Sequence, residues 1–310
     1  MTLIEKTIKE TGVELGFIDI LNSNFLKNCY RTDFCWAHQP NSICLAMSKN
    51  YLKMAMHNPN ILGVVTTPKI FMKESHNIPK SIVLLTSADQ FFYYLHNAKL
   101  HNQFDWETIA HSIHPTAQVS DKANISSLVT IGAGVVIHDG AVILGNTIIG
   151  RNSIIYQNVT IGTEGFFSKV VLQKKIHIEH FGGVKIGNNC IIHAGSNISR
   201  AVHFRNHTTI GSNSHIGIQT NISHDCQIGE HCDISAKVCL SGRVKVGNHV
   251  WIGAGAVVSN QVHIYDNAEV KIGSVVIEDV PPNMSVSGNF SVNHKTHLRK
   301  YLNRDAHEIV

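Results

Sequence analysis

The residues best suited to chemistry lie in the segment NISHDCQIG, residues 221–229, where His224 is followed directly by Asp225. A carboxylate beside an imidazole can orient the ring and stabilise its charged form, the pairing a general base needs to take a proton from an attacking nucleophile. Eighteen residues on, in LSGRV, Gly242 offers a backbone N–H suited to an oxyanion, provided the fold carries it to the same crevice. Spacing alone makes this a thin signal, because the chain holds 21 histidines and several others, including His193, His215 and His231, fall in the same region. Other chemistries lack their marks: no GxGxxG fingerprint, Walker loop, G-x-S-x-G elbow or HExxH occurs. The seven cysteines are odd in number and form no C-x-x-C pair or zinc-type spacing, so neither disulfides nor a bound metal is expected.

What positions His224 is a repeat. Apolar residues recur every six positions from Ile113 to Ile161, nine in succession, and again from Ile186 through Phe204 and Ile210 to Val276, sixteen more. The position two before each is small or β-branched, as at Ala141, Ser153, Val202, Thr208, Ser214 and Val238. Residues two apart share one face of a strand, so each hexapeptide offers one large and one small side chain to the same interior. Cys190, Cys226 and Cys232 occupy the small site as compact hydrophobes. Gly132, Gly162, Gly229 and Gly253 follow large residues, where a corner is expected to need positive φ. Three hexapeptides per triangular coil give about eight coils, each bonded to its neighbours as in other solenoids.

Between Ile161 and Ile186 the phase slips, so residues 162–185 are expected to leave the coil. Loops that interrupt a regular scaffold often carry binding residues, and this one holds Glu164, Phe166 and Phe167. Residues 1–108 show no hexapeptide. There VELGFIDIL, SICLAM, ILGVVTT and SIVLLT read as strands, and SKNYLKMAMHN and ADQFFYYLHNAKL as helices. The expected plan is mainly β: an α/β domain at 1–108, a parallel β-helix at 109–284, and a tail at 285–310 with a short helix presenting Leu298, Tyr301 and Leu302. Net charge is +4 with 15% charged residues, and the basic side chains are scattered, which argues against nucleic acid as a partner. No signal-peptide pattern and no long apolar run occurs, so a cytoplasmic protein is expected.

Residues 113–290 resemble the hexapeptide-repeat acyltransferases. The stretch 221–258 resembles the nucleotide-sugar N-acyltransferases that use acyl-CoA, in which a His followed by Asp or Glu is the general base and a glycine one coil later receives the oxyanion; His224, Asp225 and Gly242 match. Gly273 to Asn289 looks like the last-coil segment where such enzymes seat CoA. The resemblance implies CoA contacts from Ala254, Asn260, Lys271, Gly273 and Pro282, a left-handed coil where generic crossover rules favour the right-handed one, and a homotrimer.

The overall plan resembles the UDP-3-O-acylglucosamine N-acyltransferases of lipid A synthesis: HPTA at 114–117, a TEGFF-like interruption at 163–167, and SKNYLK at 48–53, similar to a uracil-holding stretch. It implies nucleotide-sugar contacts from Asn50, Tyr51, Glu164, Phe166 and Phe167. Where that family has a second histidine, this chain has Gln261, which favours acyl-CoA as co-substrate over an acyl carrier protein. The expected activity is acyl transfer to the amine of a nucleotide-linked amino sugar, with dTDP-4-amino-4,6-dideoxyhexose the specific choice and no bound cofactor. The rivals are lipid A-type transfer from hydroxyacyl carrier protein, a non-catalytic binding or assembly β-helix, and O-acetylation of a sugar hydroxyl, which uses similar residues.

Overall fold

The computed structural model describes residues 1–71, 79–105, 107–288 and 295. From Ser112 onward, strands of two to four residues stack into three parallel sheets of eight or nine strands, the three faces of a left-handed parallel β-helix. Like side chains stack at each level: Ile192 on Ile216, then Ile234, Ile252 and Val270 along one face. These form the interior with the large residues of the other two faces, nearly all below a few per cent exposed. Burying one such side chain stabilises the fold by roughly 1.5–3 kcal/mol.

The small inward site has a polar reason as well as a steric one. Ser214 Oγ donates to the Gly229 carbonyl at 3.0 Å, Thr220 Oγ1 to Ser235 at 2.7 Å and Cys226 Sγ to Ser241 at 3.1 Å. Hydroxyl and thiol thus satisfy carbonyls at the turns of the next coil, and burial pushes the Cys226 thiol up to about 12.

Corners differ from expectation. The left-handed residue lies three beyond the large inward one, as in Asn213, Gln219, Asp225, His231 and Lys237, with φ between 55° and 60°. Of the glycines that follow large residues, only Gly162 has positive φ. Gly132, Gly229 and Gly253 are required instead by close approach of coils: a Cβ on Gly229 would lie 2.5 Å from the Gly247 carbonyl oxygen.

Two segments leave the coil. The first is shorter than expected, since Thr160–Thr163 and Gly183–Ile186 remain in sheet; between them Ser168–Val171 pairs antiparallel with Lys174–His177 in a hairpin. The second was not anticipated. Strand pairing steps by 24 residues from Val184 to Thr208 rather than by 18, so one whole hexapeptide, Ala201–Asn206, bulges at a corner. Val202 and Phe204 therefore lie outside the interior they were assigned to; Phe204 stacks on His101 at 4.3 Å. The coil runs on to Ser285–Val286, beyond the expected limit at 284, and Leu298, Tyr301 and Leu302 of the expected tail helix lie outside the described residues.

The N-terminal region forms a five-stranded sheet. Its strands are β1 (Phe17–Leu21), β2 (Arg31–Asp33), β3 (Ser42–Ala46), β4 (Ile61–Thr66) and β5 (Ser81–Leu85), in the order β1-β5-β4-β3-β2 with only β1 antiparallel. Helices α1 (Leu3–Leu15), α2 (Lys49–His57) and α3 (Ala88–Asn97) flank it. The first of these replaces part of an expected strand: Val13–Leu15 form the last turn of α1, which a Thr2–Glu5 capping box begins and Gly16 at φ 66° ends. Arg31 and Asp33 on β2 join this region to the bulge. Arg31 Nη2 donates to Asp33 at 2.6 Å and to Asn206 Oδ1 at 2.8 Å, and Asn206 Nδ2 donates to Asp33 at 2.8 Å; Arg31 and Asp33 are buried and Asn206 is half-buried.

Candidate active site

His224 and Asp225 form a corner of one coil, and the same corner of the next two coils holds Gly242 and Asn260. A backbone ladder ties the column together: Arg243 N–H donates to the His224 carbonyl at 2.9 Å and Gln261 N–H to that of Gly242 at 3.1 Å. His224 Nδ1 and Asp225 Oδ2 are 2.8 Å apart, both side chains at most 10% exposed. Asp225 also accepts from the Val202 amide at 3.2 Å, so the bulge anchors the carboxylate. With Nδ1–H donating to Asp225, the imidazole presents the Nε2 lone pair, the tautomer a general base requires.

Gly242 lies under that ring. A Cβ on residue 242 would stand 2.6 Å from His224 Nε2 and Cε1 and 3.1 Å from Asn260 Oδ1. No hydrogen bond from the Gly242 amide occurs among the described residues. Nε2 and a free N–H donor therefore occupy one small region, the two functions that addition to a carbonyl needs.

The hairpin excursion closes the other side. Phe167 stacks on the His224 ring at 5.7 Å and 8°, and His180 meets it edge-on at 5.3 Å. Phe167 is held in turn by Tyr93 of α3 at 5.3 Å, and Asn97 Nδ2 donates to the His177 carbonyl at 2.7 Å. The N-terminal region thus sets the roof over the corner. Burial, with His224 beside it, pushes the His180 imidazole down to about 4. Glu164 pairs with His177 at 2.5 Å, whereas Phe166 is 96% exposed and touches nothing in the site.

Between the N-terminal region and the β-helix runs a cavity of about 460 Å³, with Asp225 in its wall and Trp36, Arg205, Arg243 and Lys245 around it. None of these four was flagged by sequence reasoning. Trp36 stacks with Phe34 at 5.0 Å, and Arg243 lies over the Phe34 ring at 5.5 Å. Tyr51, in the first turn of α2, reaches the corner column: its hydroxyl donates to Gln261 Oε1 at 3.3 Å. Asn50 is exposed.

The residues assigned to CoA do not all converge. Asn260 belongs to the column of His224, but Ala254 and Gly273 share a second edge of the prism and Pro282 lies on the third. Lys271, before the Gly273 corner, is paired with Glu269 and lies 5.5 Å over the Trp251 ring.

Residues 128–163 and 207–242 match the bacterial transferase hexapeptide (six repeats) family. Both matched segments, 36 residues each, lie within the parallel β-helix. Among solved structures it is similar to LpxA from Acinetobacter baumannii, with 29% identity over 60% of this chain and 76% of that one and a TM-score of 0.47. It is also similar to Arabidopsis UDP-N-acetylglucosamine acyltransferase, with 25% identity, 61% and 77% covered and a TM-score of 0.43. The acetyltransferase domain of PglB from Neisseria gonorrhoeae has 16% identity, 74% and 86% covered and a TM-score of 0.26. No curated protein matches the sequence. No helix among the described residues is long and apolar enough to cross a membrane.

Proposed function

We propose that this protein is a cytoplasmic acyltransferase that moves an acyl group from acyl-CoA to the amine of a nucleotide-linked amino sugar. The observation that carries the reading is the His224–Asp225 pair, 2.8 Å apart, set against the free amide of Gly242. In the proposed reaction the sugar amine attacks the thioester carbonyl while His224 Nε2 takes its proton. Asp225 steadies the imidazolium and the Gly242 N–H receives the oxyanion. Collapse expels CoA as thiolate, which takes the proton from His224 and leaves the amide. No covalent acyl-enzyme forms, and the buried thiols take no part.

The cavity beside Asp225 suits the nucleotide, with Trp36 and Phe34 for a base and Arg205, Arg243 and Lys245 for a diphosphate. Tyr51 stands at its edge. Since Ala254, Gly273 and Pro282 lie on other edges of the prism, a CoA site that uses them together with His224 requires neighbouring copies, in line with a homotrimer. The dTDP-linked 4-amino-4,6-dideoxyhexose remains the first acceptor to try.

One observation favours the lipid A-type reading: the TEGFF segment, the feature shared with that family, is the part that covers His224 through Phe167. Free-thiol release from acyl-CoA and acyl-carrier-protein thioesters, each offered with dTDP- and UDP-linked amino sugars, separates the two. Turnover of a short acyl-CoA with a dTDP-amino sugar supports the main reading. Turnover only of hydroxyacyl carrier protein with a UDP-acylglucosamine replaces it. No release with any pair leaves the binding or assembly role.

A further inference from the structure

The hairpin over His224 carries a group of side chains that acyl transfer does not use. Ligand atoms of Glu164, His177 and His180 lie within 4.8 Å of one another. His180 is 2% exposed; its Nδ1 faces the Ile178 carbonyl at 2.8 Å, and its Nε2 is buried with no partner. An imidazole buried in this way normally spends both nitrogens. Because Nδ1–H donates to a carbonyl, Nε2 is left as a bare lone pair, the arrangement by which metal-ligating histidines are oriented.

We propose that Glu164, His177 and His180 bind a divalent transition metal ion, with Zn²⁺ the best match. Two imidazoles and a carboxylate are a donor set typical of three-ligand zinc sites, which leave one position open. Zinc–ligand bonds of about 2.0–2.2 Å place tetrahedral ligand atoms about 3.3 Å apart, so the group must contract. The side chains of Glu164 and His177 are about half exposed and paired with each other, so an ion would take the place of that pairing, whereas His180 is the buried, fixed point. The sequence contributes a signal of its own, His177 and His180 flanking two residues in HIEH. The ion would join the start of the excursion at Glu164 to its end at His180, fastening the segment that carries Phe167 over His224. Nothing in this assignment depends on the acyl-transfer reading.

The test is titration of the metal-stripped full-length protein with Zn²⁺ by calorimetry and with Co²⁺ by visible absorption, in parallel with His177→Ala, Glu164→Gln and His180→Ala. The expected result is one ion per chain, a d–d spectrum of four- or five-coordinate Co²⁺ with nitrogen ligands, and affinity lowered at least about tenfold by each substitution. His177→Ala is the secure variant, because that side chain is 48% exposed and its loss leaves the core intact. Zn²⁺ should also raise the melting temperature of the parent and not of His177→Ala. Binding that survives all three substitutions would come from other histidines and would overturn the proposal, as would no binding at all.

Discussion

Gly242→Ala adds one methyl group and tests the site more sharply than removal of the base. The new Cβ would stand 2.6 Å from His224 Nε2 and Cε1, where ordinary contact begins at 3.4 Å, so the ring must retreat by about 0.8 Å. The way back is obstructed. A Cβ on Gly165 would be only 2.8 Å from His224 Cδ2, so that backbone already crowds the far edge, and Phe167 covers a face. A displacement near 1 Å in a catalytic group costs roughly a hundredfold in rate. The same overpacking costs about 1–3 kcal/mol in stability, which a domain of this size survives. Steady-state thiol release should therefore show kcat reduced by about 10²-fold with a modest change in the urea midpoint. Adding Gly242→Ala to His224→Ala should cost almost nothing further, because both act through one group. Activity within threefold of the parent enzyme in the single variant would refute the proposed placement of Nε2 and the Gly242 amide around one reacting carbonyl.

Asp225→Asn should lower kcat by about 10²–10⁴-fold while leaving folding intact, since the amide oxygen can still accept from Val202 but no longer selects the His224 tautomer; a loss under tenfold speaks against the orienting role. Acid stability should depend on a buried histidine chain in which His203 Nδ1 and His96 Nδ1 meet Thr32 Oγ1 at 3.2 and 2.6 Å and His96 Nε2 donates to the Glu179 carbonyl at 2.8 Å. Burial pushes His96 down from 6.5 to about 4, and His203 well below its ordinary value. The unfolded chain therefore takes up protons that the folded one refuses. Stability present above pH 6.5 should fall through the window from 6.5 to 4, by up to roughly 3 kcal/mol from His96 alone. Urea unfolding at pH 7 and pH 5 measures this, and equal stabilities would contradict it. Ile216→Ala, at a fully buried inward position, should cost about 2–5 kcal/mol in the same assay, whereas less than 1 kcal/mol would mean that the coil interior is not close-packed.

The coil was legible because its constraint is strictly periodic: every hexapeptide must place one large and one small residue inside, and Ile192, Ile216 and Ile234 obey. Corner chemistry was less legible. Asn and Gly fill many of the positive-φ corners, as at Asn152, Asn213 and Gly255, but Gln219 and Lys237 adopt the same conformation, so residue type alone does not mark the position. The α1 helix escaped notice because Val13 and Leu15 look like the start of a strand until Gly16 is recognised as a cap. His224, Asp225 and Gly242 were singled out by adjacency in sequence and an interval of one coil, a thin signal that the family resemblance strengthened. Trp36, Arg205 and Lys245 are far apart along the chain, and only packing of the N-terminal region against the coil brings them to one cavity. His180 was one among 21 histidines until its unpartnered Nε2 set it apart.

The bulge at Ala201–Asn206 behaves like an insertion that respects a reading frame. Its six residues equal one repeat unit, so every downstream side chain keeps its inside or outside assignment and the pattern count passes over it without a break. A coil of this kind can acquire or shed whole hexamers at a corner as silently as a gene acquires whole codons. The segment gained here holds the Asp225 carboxylate through Val202 and meets β2 through Asn206. New joints can therefore be grafted onto the scaffold without disturbing the coils beyond them.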